Sequence, residues 1–406
     1  MSPPRIYADN NATTPLAPEA VAAMRPYLED RFHNPSSMYD PARAVRRAIE
    51  NARGQVARLL GGPDPAQIFF TSCATESNNW AISGAARAQP GRRHILTTAV
   101  EHPAVLEVCR DWARQGYEVT FLPVDRDGKL DAGGYVRALR KDTLLVSVMH
   151  ANNETGVVFP IENLSRLAKE TDPAILFHTD ATQSAGKLDV DLRHGLRQVD
   201  LLSLSGHKLH APKGVGALFV RRGTPLRPFL LGGHQENGQR AGTENVAEIV
   251  ALGAACDVAA ARRGEEDAIR ALRDALETRI VETVPHVEIN GRHAARLPNT
   301  LNLAVHCIEG ESILFELDAQ GICASSGSAC TSGSLEPSHV LKAMKVPFTA
   351  MHGSIRFSFS RYNTRAEADR IAEVFAGVVR NLRRMSPYWD AGQNRPRLPG
   401  GAAQPF

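Results

Sequence analysis

The chain has 406 residues, of which 22% are charged and 43% hydrophobic, and carries a formal net charge of +3. That length holds more than one small core, and so even a charge balance excludes both the basic stripe of a nucleic-acid binder and the composition of a disordered chain. The opening MSPPRIYADNN has no apolar stretch to serve as an export signal, and no apolar run long enough to span a bilayer follows, so a soluble, cytoplasmic protein is expected.

In chain order, the first well-marked element is a helix with Asp40 as cap, Pro41 in its first turn, Val45, Ile49, Val56 and Leu59 on one face, and Gly61-Gly62 as its stop. From about residue 18 to 222, short β-branched runs at 68–72, 94–100, 117–124, 143–150, 174–181 and 200–207 alternate with segments of helical periodicity. Nearly continuous apolar runs separated by helices predict parallel strands covered on both faces, hence an α/β domain. A long helical region follows at 244–285, with Gly264 as a break, and then strands at 287–290, 300–306 and 354–360 with helices at 311–320, 338–345 and 364–385. These predict a large domain over 15–262 and a smaller α+β domain built from 1–14 and 263–390. Residues 391–406, rich in Pro and Gly and without periodicity, are expected to be a disordered tail.

Six cysteines, at 73, 109, 256, 307, 323 and 330, form no CxxC pair, so neither a zinc site nor a disulfide framework is indicated. Cys109, Cys256 and Cys307 sit in apolar stretches and are expected in the core. Cys330 does not; it lies in SSGSACTSGS at 325–334, where small residues leave a thiol accessible.

In open parallel sheets, ligands sit beyond the carboxyl ends of the strands. Polar groups collect at five such ends here. TSCATES at 71–77 places Thr75 at a helix start suited to phosphate, although Thr75 or Ser72 could equally be a plain cap. VEHPAV at 100–105 offers His102, which could stack on a flat cofactor, and ANNETG offers Asn152, Asn153 and Glu154. Asp180 and Gln183 follow a run that should be central, where a buried carboxylate requires a cation, from a structural arginine or from a ligand. Gly206-His207-Lys208 ends the next strand. Pyridoxal phosphate needs a lysine for its aldehyde, a carboxylate for its ring nitrogen and a phosphate cradle; Lys208, Asp180, and Thr75 with Ser205 and His207 supply all three.

The motifs ADNNATTP at 8–15, NPSS at 34–37, TSCATES, EHPAV, ANNETG, HTDATQSAGK at 178–187, SGHKLHAPKG at 205–214, RAGTEN at 240–245, SSGSACTSGS and RFSFSRYN at 356–363 together resemble the cysteine desulfurases of the class V aminotransferase group. The resemblance implies a fold type I α/β enzyme that depends on pyridoxal 5'-phosphate. It places the Schiff-base lysine on Lys208, the pyridinium partner on Asp180 and the ring-stacking histidine on His102. Phosphate contacts fall on Ala74, Thr75, Ser205 and His207, with Thr243 reaching across from the other subunit of a homodimer. Asn153 and Gln183 match cofactor contacts, Gln183 at the ring hydroxyl. Arg356, with Asn34 and Asn153, matches the group around the substrate.

Cys330 matches the acceptor that takes sulfur from L-cysteine as a persulfide, with alanine as product. No resident metal is implied, although Cys330 could be a transient iron–sulfur ligand. The long loop around Cys330 implies delivery of sulfur to an iron–sulfur scaffold protein. GHKLHAPKGVG and the ending MSPYW at 385–389 resemble the nitrogen-fixation type more than the housekeeping type. A transaminase or selenocysteine lyase would leave Cys330 incidental. An iron–sulfur scaffold using Cys323 and Cys330 would need no cofactor at all.

Overall fold

The computed structural model describes residues 5–326 and 337–397. The six predicted runs and one unpredicted strand, Gly216–Val220, become one sheet, ordered Ile68–Thr71, Gly216–Val220, Leu201–Ser205, Leu176–Asp180, Thr143–Ser147, His94–Thr98 and Glu118–Leu122. The last five are parallel to one another, and Gly216–Val220 runs antiparallel to both of its neighbours. Two-sided burial explains the continuous apolar runs. Ile95, Leu201 and Leu218 pack into one hydrophobic cluster, while Leu96, Leu202 and Phe219, one residue on, pack into another on the opposite face.

The first marked helix is Asp40–Leu59, and its cap is Tyr39 rather than Asp40. Asp40 instead takes the first turn and binds Arg43, a use that suits an acid beside the positive end of the helix. Gly61 and Gly62 end it with φ of 85° and 76°; at Gly61 an added Cβ would lie 2.6 Å from the Asp191 carboxylate. The long helical region divides where expected, into Val246–Ala261 and Glu266–Thr283, with Gly264 at φ 103° between them.

A second, antiparallel sheet joins Ser354–Ser358, Thr300–Val305 and Val287–Ile289, and Arg365–Met385 packs on its core. That helix begins with a reciprocal capping box between Thr364 and Glu367. The N-terminal Ile6–Tyr7 pairs with Ile322–Cys323, and Asp9 bridges to Ser358, which brings residues 8–14 between the two sheets.

Residues 391–397 differ from the unstructured tail expected there. Trp389–Asp390 pairs with Arg395–Pro396, and Trp389 is buried with its ring 4.0 Å from the Arg383 guanidinium. The Asp390 carboxylate closes the turn by accepting from the Gly392 and Gln393 N–H groups, so this aromatic anchor and that turn order the segment without any periodic signal. Among the described residues, no helix is long and apolar enough to cross a membrane.

Candidate active site

At the carboxyl ends of the parallel strands lies a cavity of about 420 Å³. Its lining includes Ala74, Thr75, His102, Asn153, Asp180, Gln183, Ser205, His207, Lys208 and Arg356, so the topology brings together ten positions spread over nearly 300 residues.

Asp180 ends the strand Leu176–Asp180 and is 6% exposed. Its Oδ2 accepts from the Asn78 side-chain amide at 2.7 Å and its Oδ1 from the Thr182 N–H at 2.9 Å. Among the described residues no lysine or arginine forms a salt bridge with it, so the structural-arginine alternative does not hold. A carboxylate buried this way, supported only by neutral donors, is a site for a ligand cation.

The helix Ala74–Ala88 opens on the cavity, and its cap, Cys73, provides no side-chain hydrogen bond. Neither Thr75 nor Ser72 satisfies the first-turn N–H groups, which leaves them to an anion. Close approach of the neighbouring strand fixes this start: a Cβ on Gly216 would lie 2.8 Å from both the Cys73 carbonyl carbon and the Leu204 oxygen. Ser205 is buried at the end of its strand. His207 follows, its Nδ1 3.2 Å from Thr13 Oγ1; burial pushes its pKa down to about 4, with Lys208, Lys213 and Lys187 adding to the effect.

Lys208 donates from Nζ to the carbonyl oxygens of Asn11 and Ala12, both at 2.6 Å. Gln183 donates from Nε2 to the same Asn11 carbonyl at 3.0 Å, while its Oε1 accepts from Lys187 at 3.0 Å. His102 caps the helix Pro103–Arg114, its Nδ1 accepting from the Ala104 N–H at 3.1 Å. Burial lowers the His102 pKa; the Asp180 charge opposes this, and Lys208 and His339 reinforce it.

Arg356 also lines the cavity and is 1% exposed. Its guanidinium donates to the Asn153 carbonyl at 3.0 Å and to Asp9 Oδ1 at 2.9 Å, and Nε is buried without a partner among the described residues. Each terminal nitrogen carries a second N–H beyond these two bonds, a pair that suits a small carboxylate.

Residues 6–371 match the family "Aminotransferase class-V". The chain is 53% identical to cysteine desulfurase 2 of Trichormus variabilis, over 94% of this chain and 95% of that one. It is 52% identical to the cysteine desulfurase NifS of Azotobacter vinelandii, over 98% of each. The chain belongs to the cysteine desulfurases of the class-V aminotransferase family. A solved NifS-like protein superposes with a TM-score of 0.87 at 36% identity, covering 93% of this chain and all of that one.

Cysteine desulfurases of this class depend on pyridoxal 5'-phosphate. The donor set fits that group: a lysine, a buried carboxylate with no salt bridge among the described residues and an uncapped helix start surround one cavity.

Three expected residues are not in this set. Asn34 is exposed and accepts from the Ser36 N–H within its own turn, at 2.9 Å, away from the cavity. Thr243 is exposed and outside the lining of this chain's cavity. Cys330 lies outside the described residues.

Sequence reasoning gave no role to Asp9, Asn11, Asn78 or His339. Asn78 stands one helical turn beyond Ala74, and that spacing could have pointed to it. Asp9 and Asn11 lie within ADNNATTP, but no local pattern says what they touch. Cys109, Cys256 and Cys307 are buried free thiols, as expected; burial pushes Cys109 up to about 12.

Proposed function

We propose that this protein is a pyridoxal-phosphate-dependent cysteine desulfurase that removes sulfur from L-cysteine, releases L-alanine and leaves a persulfide on Cys330. The observation that carries this reading is the joint presence of Lys208, Asp180 and the uncapped helix start around one cavity, in a chain of this family.

When bound, the cofactor supplies an electron sink for the bonds at the substrate's α-carbon. Lys208 would hold it covalently through Nζ, Asp180 its ring nitrogen, Gln183 its ring hydroxyl and His102 its ring face. Ala74, Thr75, Ser205 and His207 would hold its phosphate, with Thr243 of a second subunit completing the cradle in a homodimer. Arg356 binds the substrate carboxylate, with Asn153 fixing the guanidinium through its carbonyl. Lys208, once released, takes and returns protons near the α-carbon. The Cys330 thiolate then forms an S–S bond to the substrate sulfur as the carbon–sulfur bond breaks; the electron pair stays on carbon, which takes up a proton.

The resemblance of the sequence to the nitrogen-fixation type, and the NifS relative, support delivery of the sulfur to an iron–sulfur scaffold that serves nitrogenase. Loss of nitrogenase activity on disrupting the gene, rescued by this chain but not by its Cys330→Ala variant, is the expected result; undiminished nitrogenase would assign a housekeeping role instead.

Sulfide and alanine release from cysteine, measured with a reductant present, tests the activity itself. Cys330→Ala should abolish release while the visible absorbance of the cofactor stays intact, and Lys208→Ala should remove both. Release that survives Cys330→Ala would make this a pyridoxal enzyme of another kind.

A further inference from the structure

Two histidines, His102 and His339, line the same cavity, and each commits one ring nitrogen to the backbone in the opposite sense. His102 Nδ1 accepts from the Ala104 N–H, so the neutral ring carries its hydrogen on Nε2 and its lone pair is spent. His339 Nε2 lies 2.9 Å from the carbonyl oxygen of Glu101. A carbonyl can only accept. Nε2 of His339 therefore bears the hydrogen, and Nδ1 keeps an unprotonated lone pair with no hydrogen bond to another described residue.

The surroundings keep this ring neutral. Burial lowers the His339 pKa and the Arg110 guanidinium adds to it, against the hydrogen bond to the Glu101 carbonyl. The Glu101 side chain, pushed up to about 8 by burial, brings little negative charge near neutral pH, and His102 is itself held neutral.

The backbone ties the ring to the loop that holds Arg356, which lines the same cavity. Ser338, the residue before it, caps the helix His339–Ala343 and donates to Glu154 Oε2 at 2.5 Å. Glu154 follows Asn153, whose carbonyl holds Arg356. A carboxylate on Arg356 brings its α-ammonium, one carbon away, into the cavity that His339 also lines.

We propose that Nδ1 of His339 accepts the proton that L-cysteine gives up from its α-ammonium on entering the cavity, which makes His339 a catalytic residue and leaves His102 as a donor. One N–H bond of the ammonium breaks, its electron pair stays on the amine, and an N–H bond forms at Nδ1; the imidazolium later returns that proton to water. This inference rests on the reading that the cavity binds cysteine.

The test uses the cofactor-loaded Cys330→Ala protein, rapidly mixed with L-cysteine while the visible absorbance is followed as a function of pH. His339→Gln keeps an N–H for the Glu101 carbonyl but cannot take the proton; His339→Leu loses both. Cofactor content and resting absorbance should be unchanged in both, while the rate of the absorbance change falls about 100-fold. In both variants the rate should also climb about tenfold per pH unit, following the fraction of free amine, where the parent levels off. Rates within about twofold of the parent with the same pH profile would overturn the proposal, as would a loss in His339→Leu that His339→Gln restores. A parent protein with no absorbance response to cysteine would overturn both the proposal and the reading beneath it.

Discussion

Asp9 holds Arg356 from the far end of the chain: its Oδ1 is 2.9 Å from a guanidinium nitrogen whose side chain is 2% exposed. The pair joins the N-terminal segment to the strand Ser354–Ser358, so the group that would bind the substrate carboxylate is fixed before substrate arrives. Asp9→Asn keeps an acceptor but removes the charge, leaving Arg356 buried and uncompensated. We expect the ligand-free protein to lose about 3 kcal/mol of stability. Saturating L-alanine, whose carboxylate replaces the missing charge, should narrow the gap. Thermal melts with and without L-alanine measure both; an equal loss in each would place the substrate carboxylate elsewhere.

Asp180→Asn tests the buried carboxylate. The variant's amide oxygen can still accept from the Thr182 N–H, and its NH2 can donate to Asn78 Oδ1 once the Asn78 amide flips, so the fold should be retained. It cannot keep a ring nitrogen protonated. Alanine release should fall by roughly 10²–10³, with cofactor still bound as judged by absorbance. A loss below tenfold would show that the charge of Asp180 is not used in the reaction.

Gly216→Ala should disturb the phosphate end of the cavity, because the new methyl would sit 2.8 Å from backbone atoms of Cys73 and Leu204, neither of which can move independently. We expect a stability loss of about 1–3 kcal/mol and a lower cofactor affinity, read by denaturant unfolding and by titration of the cofactor-free protein. Unchanged affinity would mean that the helix start is not the anion site.

Glu154 is buried, and its pKa is pushed up to about 7 by that burial, with the Ser338 hydrogen bond and the Arg356 charge opposing. Folded, the carboxyl keeps its proton to about pH 7; unfolded, it loses it near the ordinary carboxylate value. Between those limits the folded state binds more protons, so stability falls as pH rises. Glu154→Gln removes this titration while keeping an acceptor for Ser338. Near pH 5 the variant should match the parent; by about pH 8.5 it should be more stable by up to roughly 3 kcal/mol. Denaturant midpoints at the two pH values decide it, and a variant less stable than its parent at the higher pH would show that Glu154 is charged in the fold.

What the sequence by itself determined was whatever depends on neighbours along the chain. Apolar runs, the glycine break at Gly264 and polar groups at strand ends are local, so the α/β order and the positions of Lys208, Asp180 and His102 could be read directly. What only the tertiary structure decided was which groups answer those residues. Asn78 reaches Asp180 across 102 positions, Asp9 reaches Arg356 across 347, and His339 reaches Glu101 across 238. No spacing rule spans such distances, because these pairs form only after the crossovers place the strand ends side by side. The same limit applies to tautomers: the hydrogen on each histidine ring is set by a backbone group facing it in space, here Ala104 for His102 and Glu101 for His339.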